Sequence, residues 1–210
     1  MDYKRHVIIE KEVAMKNRYR KLYFEEYAAQ TLKLYLMENT IVHRDCPDLE
    51  ISALQMGVEV TQAIKEDIIY ELRKETIYAS YALNPFDLSA LLTKEDVDGY
   101  LGKIKQALLR KIQKSSHYTR YQHNGLYIFT HCFLLTNENV QAFFTSLDFP
   151  IVFYDTIYLN GVDRLYCYHV KDKSITTFHF ESKDLVLINQ LSLRYEEIKE
   201  KEKEDAKAKR

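Results

Sequence analysis

The chain has 210 residues, of which 46% are hydrophobic and 13% aromatic, with only 5 Gly and 3 Pro. This composition fits one domain with a full hydrophobic core and excludes a disordered or fibrous chain. The 30 Lys and Arg residues nearly balance the 31 Asp and Glu residues, so a net charge of −1 does not by itself indicate a nucleic-acid or anionic-membrane partner.

The cysteines, histidines and glycines exclude several classes of site. The three cysteines lie far apart, which favours reduced thiols over a disulfide framework or a thiolate zinc site. The histidines show no metal-ligand spacing, and no glycine loop could cradle a nucleotide phosphate, which argues against kinases, ATPases and dinucleotide-dependent dehydrogenases. No secretory signal or membrane-spanning run can be drawn, so we expect a cytoplasmic protein without a membrane partner.

The N-terminal part of the chain alternates a helix with short strands. Aromatic and aliphatic residues at three- and four-residue spacing predict an amphipathic helix over 17–38. A short strand over 41–43 follows. Next comes a predicted hairpin, in which the strands 49–54 and 58–61 are joined by a turn at 55–57.

The middle of the chain contains the clearest periodic pattern. A helix is predicted from Gln62 onward, and residues 93–96 are typical of a helix start with an acidic first turn. Five apolar residues then share one stripe and predict a long helix: Val97, Leu101, Ile104, Leu108 and Ile112.

The C-terminal part adds more strands and a charged end. The further predicted elements are a strand at 126–130, a helix at 137–144 and strands at 151–159, 164–170 and 174–180. Residues 194–210 are almost all charged or alanine and are expected to be a helical extension or disordered. The order predicts one α/β (α+β) domain over 1–193, with a mixed central sheet flanked by helices.

Two carboxylates stand at the ends of the predicted hairpin. Asp48 precedes the outgoing strand and Glu59 lies on the returning strand, so both should reach the same end of the sheet. Hard cations such as Mg²⁺ or Mn²⁺ prefer such oxygen ligands. Glu25 or Glu26 of the first helix could add a third carboxylate, and Glu26 is taken as the auxiliary metal ligand. The alternative is that Asp48 caps a turn and Glu59 faces outward without a ligand.

A family resemblance rests on these residues. Pro47-Asp48, followed after ten residues by Glu59-Val60-Thr61, resembles the signature of the PD-(D/E)xK nuclease superfamily, in which an acid and an acid-x-lysine pair end adjacent strands. Residues 57–63 are similar to those of small bacterial and phage-type members. The resemblance implies a restriction-endonuclease-like core and metal-dependent hydrolysis of phosphodiester bonds, as an endonuclease or exonuclease with DNA favoured as substrate.

One position departs from the signature, because Thr61 stands where the superfamily has its catalytic lysine. A lysine there would orient the attacking water and offset charge in the transition state, which a hydroxyl cannot do. Lys65, one turn into the next helix, or Lys111, at the edge of the long helix's apolar stripe, could replace it. The alternative for each is an ordinary solvated surface lysine.

Residues 103–120 form the only region in which the charged side chains are strongly of one sign: they are basic, and no acid is among them. A basic helix face beside a metal site would meet backbone phosphates. The candidate nucleic-acid-binding residues are Lys103, Arg110, Lys111, Lys114 and Arg120. The alternative is that these cations only solubilise the helix.

Three functional hypotheses therefore stay open. The first is an active metal-dependent nuclease. The second is a catalytically inactive nuclease-fold protein that acts through protein–protein contacts, which Thr61 motivates. The third is an oligomeric structural protein, and a homodimer is left open in each case.

Overall fold

Four helices and seven strands make up the part of the chain that the structure, a computed structural model, describes, namely residues 20–64, 97–130 and 132–208. In chain order they are α1 (Lys21–Leu36), β1 (Val42–His43), β2 (Leu49–Ile51), β3 (Met56–Gln62), α2 (Val97–Lys114), β4 (His123–Phe129), α3 (Asn137–Thr145), β5 (Thr156–Asn160), β6 (Arg164–His169), β7 (Ser174–His179) and α4 (Ser182–Ala208). Two short 3₁₀ helices, Ser52–Leu54 and Ser115–His117, complete the list. Most of the helix predicted from Gln62, the helix start at 93–96 and Lys65 lie outside the described residues.

The seven strands form one mixed sheet in which spatial order follows chain order. The outer pairs β1–β2, β2–β3, β5–β6 and β6–β7 are antiparallel, while the central pairs β3–β4 and β4–β5 are parallel. Parallel neighbours need long crossover connections, and α2 and α3 lie in the two that are required here. The prediction of an α/β (α+β) fold with a mixed sheet flanked by helices is confirmed.

Helices α1 and α2 lie against opposite faces of the sheet. On α1, Thr31 Oγ1 is 2.8 Å from the hydroxyl of Tyr127, and Tyr127 pairs with Val60 in the adjacent strand. Successive strand residues point to opposite faces, so Glu59 faces away from α1. It meets Lys111 of α2 there. The N-terminal end of α1 and the C-terminal end of α2 thus approach the β2–β3 hairpin from its two sides.

The β2–β3 connection differs from the predicted turn at 55–57. Strand β2 ends at Ile51, residues 52–54 form a 3₁₀ helix, and Gln55 takes the left-handed conformation with φ 47°. Gly57, expected in the turn, lies instead within β3. A Cβ atom on Gly57 would come within 2.7 Å of the Tyr121 ring and 2.9 Å of Pro47 Cγ, so its role is close packing and not a turn conformation.

The C-terminal charged segment continues a helix that begins within the folded domain. Helix α4 packs along α1, where Leu185 and Ile188 are buried and the Tyr23 hydroxyl donates to Asn189 at 2.8 Å. The boundary expected between 193 and 194 falls inside α4. Glu196, beyond that boundary, is only 2% exposed, and its Oε1 accepts a hydrogen bond from the Arg20 backbone N–H at 2.6 Å. None of the described helices is both long and apolar enough to cross a membrane.

Candidate functional site

Asp48 and Glu59 lie side by side on one face of the β2–β3 hairpin. Leu49 pairs with Val58, so the antiparallel register places the preceding Asp48 opposite Glu59. Both side chains are buried, with 3% and 5% of their residue surface exposed. Asp48 Oδ2 also accepts a hydrogen bond from the backbone N–H of Val60 at 2.7 Å. The structure therefore brings together the two acids that the hairpin pattern indicated.

Lys111 reaches both of these acids from α2. Its Nζ atom lies 2.7 Å from Glu59 Oε2 and 3.5 Å from Asp48 Oδ2, and its side chain is 17% exposed. Lys111 follows the buried Ile104 and Leu108 at helical spacing. It therefore lies on the same side of α2 as the apolar stripe, at the end that is next to the hairpin. Of the two lysines offered in place of the motif lysine, Lys111 is the one seen at the acids, since Lys65 is outside the described residues.

A second ammonium approaches from the first turn of α1. Lys21 Nζ lies 3.0 Å from Asp48 Oδ1 and 2.9 Å from Oε1 of Glu25, which is 5% exposed. Sequence reasoning did not identify Lys21 as a site residue. Its spacing of four residues from Glu25 was a signal that could have done so, because side chains at i and i+4 are neighbours on a helix.

Glu26, predicted as the auxiliary metal ligand, lies outside this group. Its Oε2 is 2.6 Å from His43 Nε2, and its Oε1 accepts a hydrogen bond from Gln30 at 2.5 Å. Consecutive helix residues point about 100° apart, so the two glutamates of α1 cannot both face Asp48. Of the two glutamates, Glu25 is the one that Lys21 links to Asp48. Thr61, two residues after Glu59 on the same strand face, is half-buried.

Burial and charge act in opposite directions on the two hairpin acids. At Asp48, burial would raise the pKa, but the positive charge of Lys111 and the Val60 N–H outweigh it and the pKa falls below its ordinary value. At Glu59, burial outweighs the hydrogen bond from Lys111 and the pKa is raised. Although burial alone would lower the pKa of Lys111, the Asp48 and Glu59 charges raise it, so Lys111 remains an ammonium.

The same balance makes Glu25 the acid that titrates near neutral pH. Burial raises the pKa of Glu25 to about 7, in spite of the hydrogen bond from Lys21. The pKa of Lys21 is raised, because its hydrogen bonds to Glu25 and Asp48 outweigh burial. Two ammonium groups therefore face two carboxylates and a third that is partly protonated at neutral pH.

We expect Glu25→Gln to stabilise the protein relative to wild type above pH 7 but not at acidic pH. A folded-state pKa of about 7 lies above the ordinary value of 4.5, so the folded protein keeps a proton that the unfolded chain releases. Wild-type stability therefore falls as pH rises through this window, by about 1 kcal/mol after allowance for solvent screening, while Gln does not titrate. Urea unfolding of both proteins at about pH 5 and about pH 8 measures the difference.

Glu26→Gln is the matched control, with the opposite sign. Burial opposes the change, but hydrogen bonds from His43 and Gln30 lower the pKa of Glu26, so its contribution to stability is lost as pH falls. The Glu26→Gln variant should be less stable than wild type at neutral pH and should approach it in acid. Equal pH dependence in both variants would contradict the assignment of the protonated acid to Glu25.

The predicted basic residues divide between the site and the surface. Lys111 turns inward, whereas Arg110, Lys114 and Arg120 are exposed. Lys103 and Arg110 line an open cleft of about 530 Å³ together with three glutamines, Gln62, Gln106 and Gln113. The Arg120 guanidinium lies 5.8 Å from the ring of Phe153.

A second open cleft, of about 610 Å³, adjoins the acids on the α1 side. It is lined by residues of α1, β1 and α4 and the loop after β1, among them Arg20, Lys21, Glu25, Arg44, Tyr195 and Lys203. Lys21, one of these lining residues, contacts both Asp48 and Glu25.

The carboxylate oxygens of Asp48 and Glu59 are the kind of ligand that a hard divalent cation prefers. Within residues 20–64, 97–130 and 132–208, no three His, Cys, Asp or Glu side chains are grouped so that they could hold a metal ion. Magnesium, however, commonly takes one or two carboxylates and fills its remaining positions with water and substrate phosphate. Asp48 and Glu59 supply that pair, and Glu59 Oε1 faces the Cys46 thiol at 3.9 Å while Oε2 is held by Lys111.

Comparison of the chain with family models, curated proteins and solved structures gives no match.

Proposed function

We propose that this protein is a metal-dependent nuclease that hydrolyses phosphodiester bonds, with DNA favoured as substrate. The observation that carries the proposal is the contact of Lys111 with Asp48 and Glu59, at 3.5 and 2.7 Å. A lysine from another element thus supplies the ammonium that Thr61 cannot. The order of α1, an antiparallel hairpin, α2 and a parallel β4 also agrees with the PD-(D/E)xK order, and we propose a core of that type.

Each residue has a definable part in this reaction. Asp48 and Glu59 would hold Mg²⁺ or Mn²⁺, with Glu25 as the auxiliary acid. The cation would supply Lewis-acid polarisation of a phosphoryl oxygen and a lowered pKa of water. Because its pKa is raised, Lys111 acts as a charge and hydrogen-bond donor and not as a general base. It would orient the attacking water and offset the negative charge that develops on phosphorus oxygens.

A cleavage assay combined with calorimetry tests the proposal. Purified protein is incubated with duplex DNA, single-stranded DNA or RNA in the presence of Mg²⁺ or Mn²⁺, and metal binding is measured by titration calorimetry. We expect metal-dependent cleavage, and a heat of metal binding that Asp48→Ala and Glu59→Ala remove. The proposal is abandoned if no nucleic acid is cleaved and no metal binding depends on these two acids.

A second candidate, a catalytically inactive binding protein, is favoured by one observation. Lys21 and Lys111 already neutralise Asp48 and Glu59, so the group is a balanced ion-pair network without a cation. Under this hypothesis the folded protein shows neither cleavage nor a heat of metal binding. A cytoplasmic location is a further prediction of the sequence, which leaves a homodimer open.

We expect the surface cations of α2 to contribute to nucleic-acid affinity through phosphate contacts. Arg110→Gln should weaken DNA binding for all sequences and reduce the slope of log K against log salt by about 1, because one phosphate contact is lost. Fluorescence anisotropy over a range of salt concentrations measures this slope.

Lys105→Gln is the control on the same helix, because Lys105 is paired with Asp148 at 2.9 Å. Its slope should stay close to that of wild type. An equal reduction of the salt slope in both variants would show that every positive charge on α2 contributes equally to binding. An unchanged slope in the Arg110→Gln variant would show that Arg110 does not contact the nucleic acid.

A further inference from the structure

A buried tyrosine beside the candidate site has an unpaired hydroxyl. Tyr154, in the loop before β5, is 2% exposed, and its hydroxyl has no hydrogen-bond partner within the described part of the chain. Burying an unpaired hydroxyl costs free energy, so such groups are rare in folded proteins. A hydroxyl of this kind is explained if its partner is a ligand.

The Tyr154 hydroxyl lies in the neighbourhood of the hairpin acids. The groups that act on it electrostatically are Tyr118, Glu59, Asp48 and Cys46. All four belong to the candidate site or border it: the Tyr118 ring lies 5.6 Å from the Lys111 ammonium, and the Cys46 thiol faces Glu59. The unpaired hydroxyl therefore lies on the side of the sheet where substrate would bind.

The loop that carries Tyr154 is held firmly. The Asp155 backbone N–H donates to the Asn124 carbonyl oxygen at 2.7 Å, and the Asn124 N–H donates to Asp155 Oδ2 at 2.7 Å, which ties the loop to β4. The Phe153 ring makes edge contacts with the rings of both Tyr118 and Tyr154, at centroid distances of 5.9 and 5.1 Å. The position of the hydroxyl is thus set before any ligand arrives, as electrostatic catalysis requires.

The hydroxyl keeps its proton at ordinary pH and can donate it in a hydrogen bond to a ligand. Burial raises the pKa of Tyr154 well above its ordinary value, so the O–H stays protonated. A phosphodiester brings non-bridging oxygens that carry negative charge, and hydrogen bonds to charged acceptors are the stronger ones. Such an oxygen would accept the hydrogen bond for which the Tyr154 hydroxyl has no partner within the described part of the chain.

We propose that Tyr154 is a catalytic residue whose hydroxyl donates a hydrogen bond to a non-bridging oxygen of a phosphodiester that lies beside Lys111 and the cation that Asp48 and Glu59 would hold. The inference rests on the proposed nuclease function and names a substrate contact that the sequence did not indicate. No proton is transferred by Tyr154 in this role. The bond strengthens as negative charge grows on the phosphoryl oxygens in the transition state.

Tyr154→Phe tests the inference because it removes the hydroxyl and keeps the ring. We expect the thermal midpoint of the free protein to stay the same or to rise slightly, since an unpaired polar group is lost. The value of kcat for metal-dependent cleavage should fall about 10- to 100-fold, with a smaller change in KM.

A second readout uses protein labelled with ¹³C at the tyrosine ζ carbon, in which the signal absent from the Tyr154→Phe variant is assigned to Tyr154. That signal should shift when a phosphorothioate oligodeoxynucleotide is added with Ca²⁺, because the hydroxyl then gains an acceptor.

Tyr127→Phe is the matched control on the opposite face of the sheet. The Tyr127 hydroxyl is paired with Thr31 at 2.8 Å, so its loss should lower the thermal midpoint and leave kcat unchanged. The inference is overturned if the Tyr154→Phe variant cleaves at the wild-type rate, or if the Tyr154 signal does not move when oligonucleotide is bound. Absence of both cleavage and metal binding in wild type would instead remove the nuclease function itself, and the inference with it.

Discussion

Glu59→Gln and Asp48→Asn are each expected to lower kcat for metal-dependent cleavage by about 10³-fold, because the cation loses one of its two charged ligands and with it several kcal/mol of transition-state stabilisation. Both substitutions keep the shape of the side chain. In the Asp48→Asn variant the amide oxygen can still accept the hydrogen bond from Val60, so the hairpin should fold. Steady-state cleavage rates and calorimetric titration with Mn²⁺ measure the two effects together.

Glu50→Gln provides the matched control on the same hairpin. Glu50 Oε2 accepts from Arg44 at 3.1 Å, and Oε1 accepts from Ser52 at 2.7 Å, away from the Lys111 ammonium. This variant should cleave at nearly the wild-type rate. Activity in the Glu59→Gln variant within a few-fold of wild type, with metal still bound, would show that Glu59 is not a ligand. The ion pair with Lys111 would then be its whole role.

Lys111→Met should lower both stability and activity. The substitution leaves Glu59 without its ammonium at 2.7 Å and removes one of two positive charges from Asp48, so the free energy of unfolding should fall by about 2 kcal/mol. The value of kcat should fall about 10²-fold or more, because no other described lysine takes over the role proposed for Lys111 beside Glu59. Added Mg²⁺ should raise the thermal midpoint of this variant more than that of wild type, since the cation replaces the missing positive charge.

Two further variants separate the structural part of Lys111 from its catalytic part. Lys114→Met removes an exposed lysine three residues further along α2 and should leave stability and kcat unchanged, with any loss of a phosphate contact confined to KM. The double variant Lys111→Met/Glu59→Gln should recover much of the lost stability, because the unpaired carboxylate is gone, but it should not recover activity. A Lys111→Met protein that is less stable yet cleaves at the wild-type rate would restrict Lys111 to a structural role.

The repeating patterns of the sequence predicted most of the described elements of this fold, although no helix was predicted over 182–193, where α4 begins. The apolar stripe of α2 and the antiparallel strands of the second half follow from local periodicity, which one segment of chain carries by itself. The sequence placed Asp48 and Glu59 on one hairpin, but a turn at 55–57 would pair Glu59 with Ala53. The 3₁₀ helix at Ser52–Leu54 sets the register that pairs Leu49 with Val58 and so brings Asp48 opposite Glu59. The turn was predicted less well. Gly57 was assigned to it, although the close approach of Tyr121, distant in sequence, explains that glycine.

The choice among candidate side chains depended on contacts between distant segments. Glu25 and Glu26 are equivalent in a sequence pattern, and only the position of His43 on β1 and of Asp48 beside α1 distinguishes them. Tyr154 carried no functional signal, because the sequence placed it within a strand predicted over 151–159, whereas it lies in the loop before β5.

The sequence by itself placed two carboxylates on one hairpin, since both strands and their connection belong to one short segment. It did not determine which lysine meets those carboxylates. Lys111 is 52 residues from Glu59, and their contact exists because α2 crosses the sheet on the face where Glu59 points. The tertiary structure decided this point because the burial of the α2 stripe, and not any local preference of Lys111, carries the ammonium to the two acids.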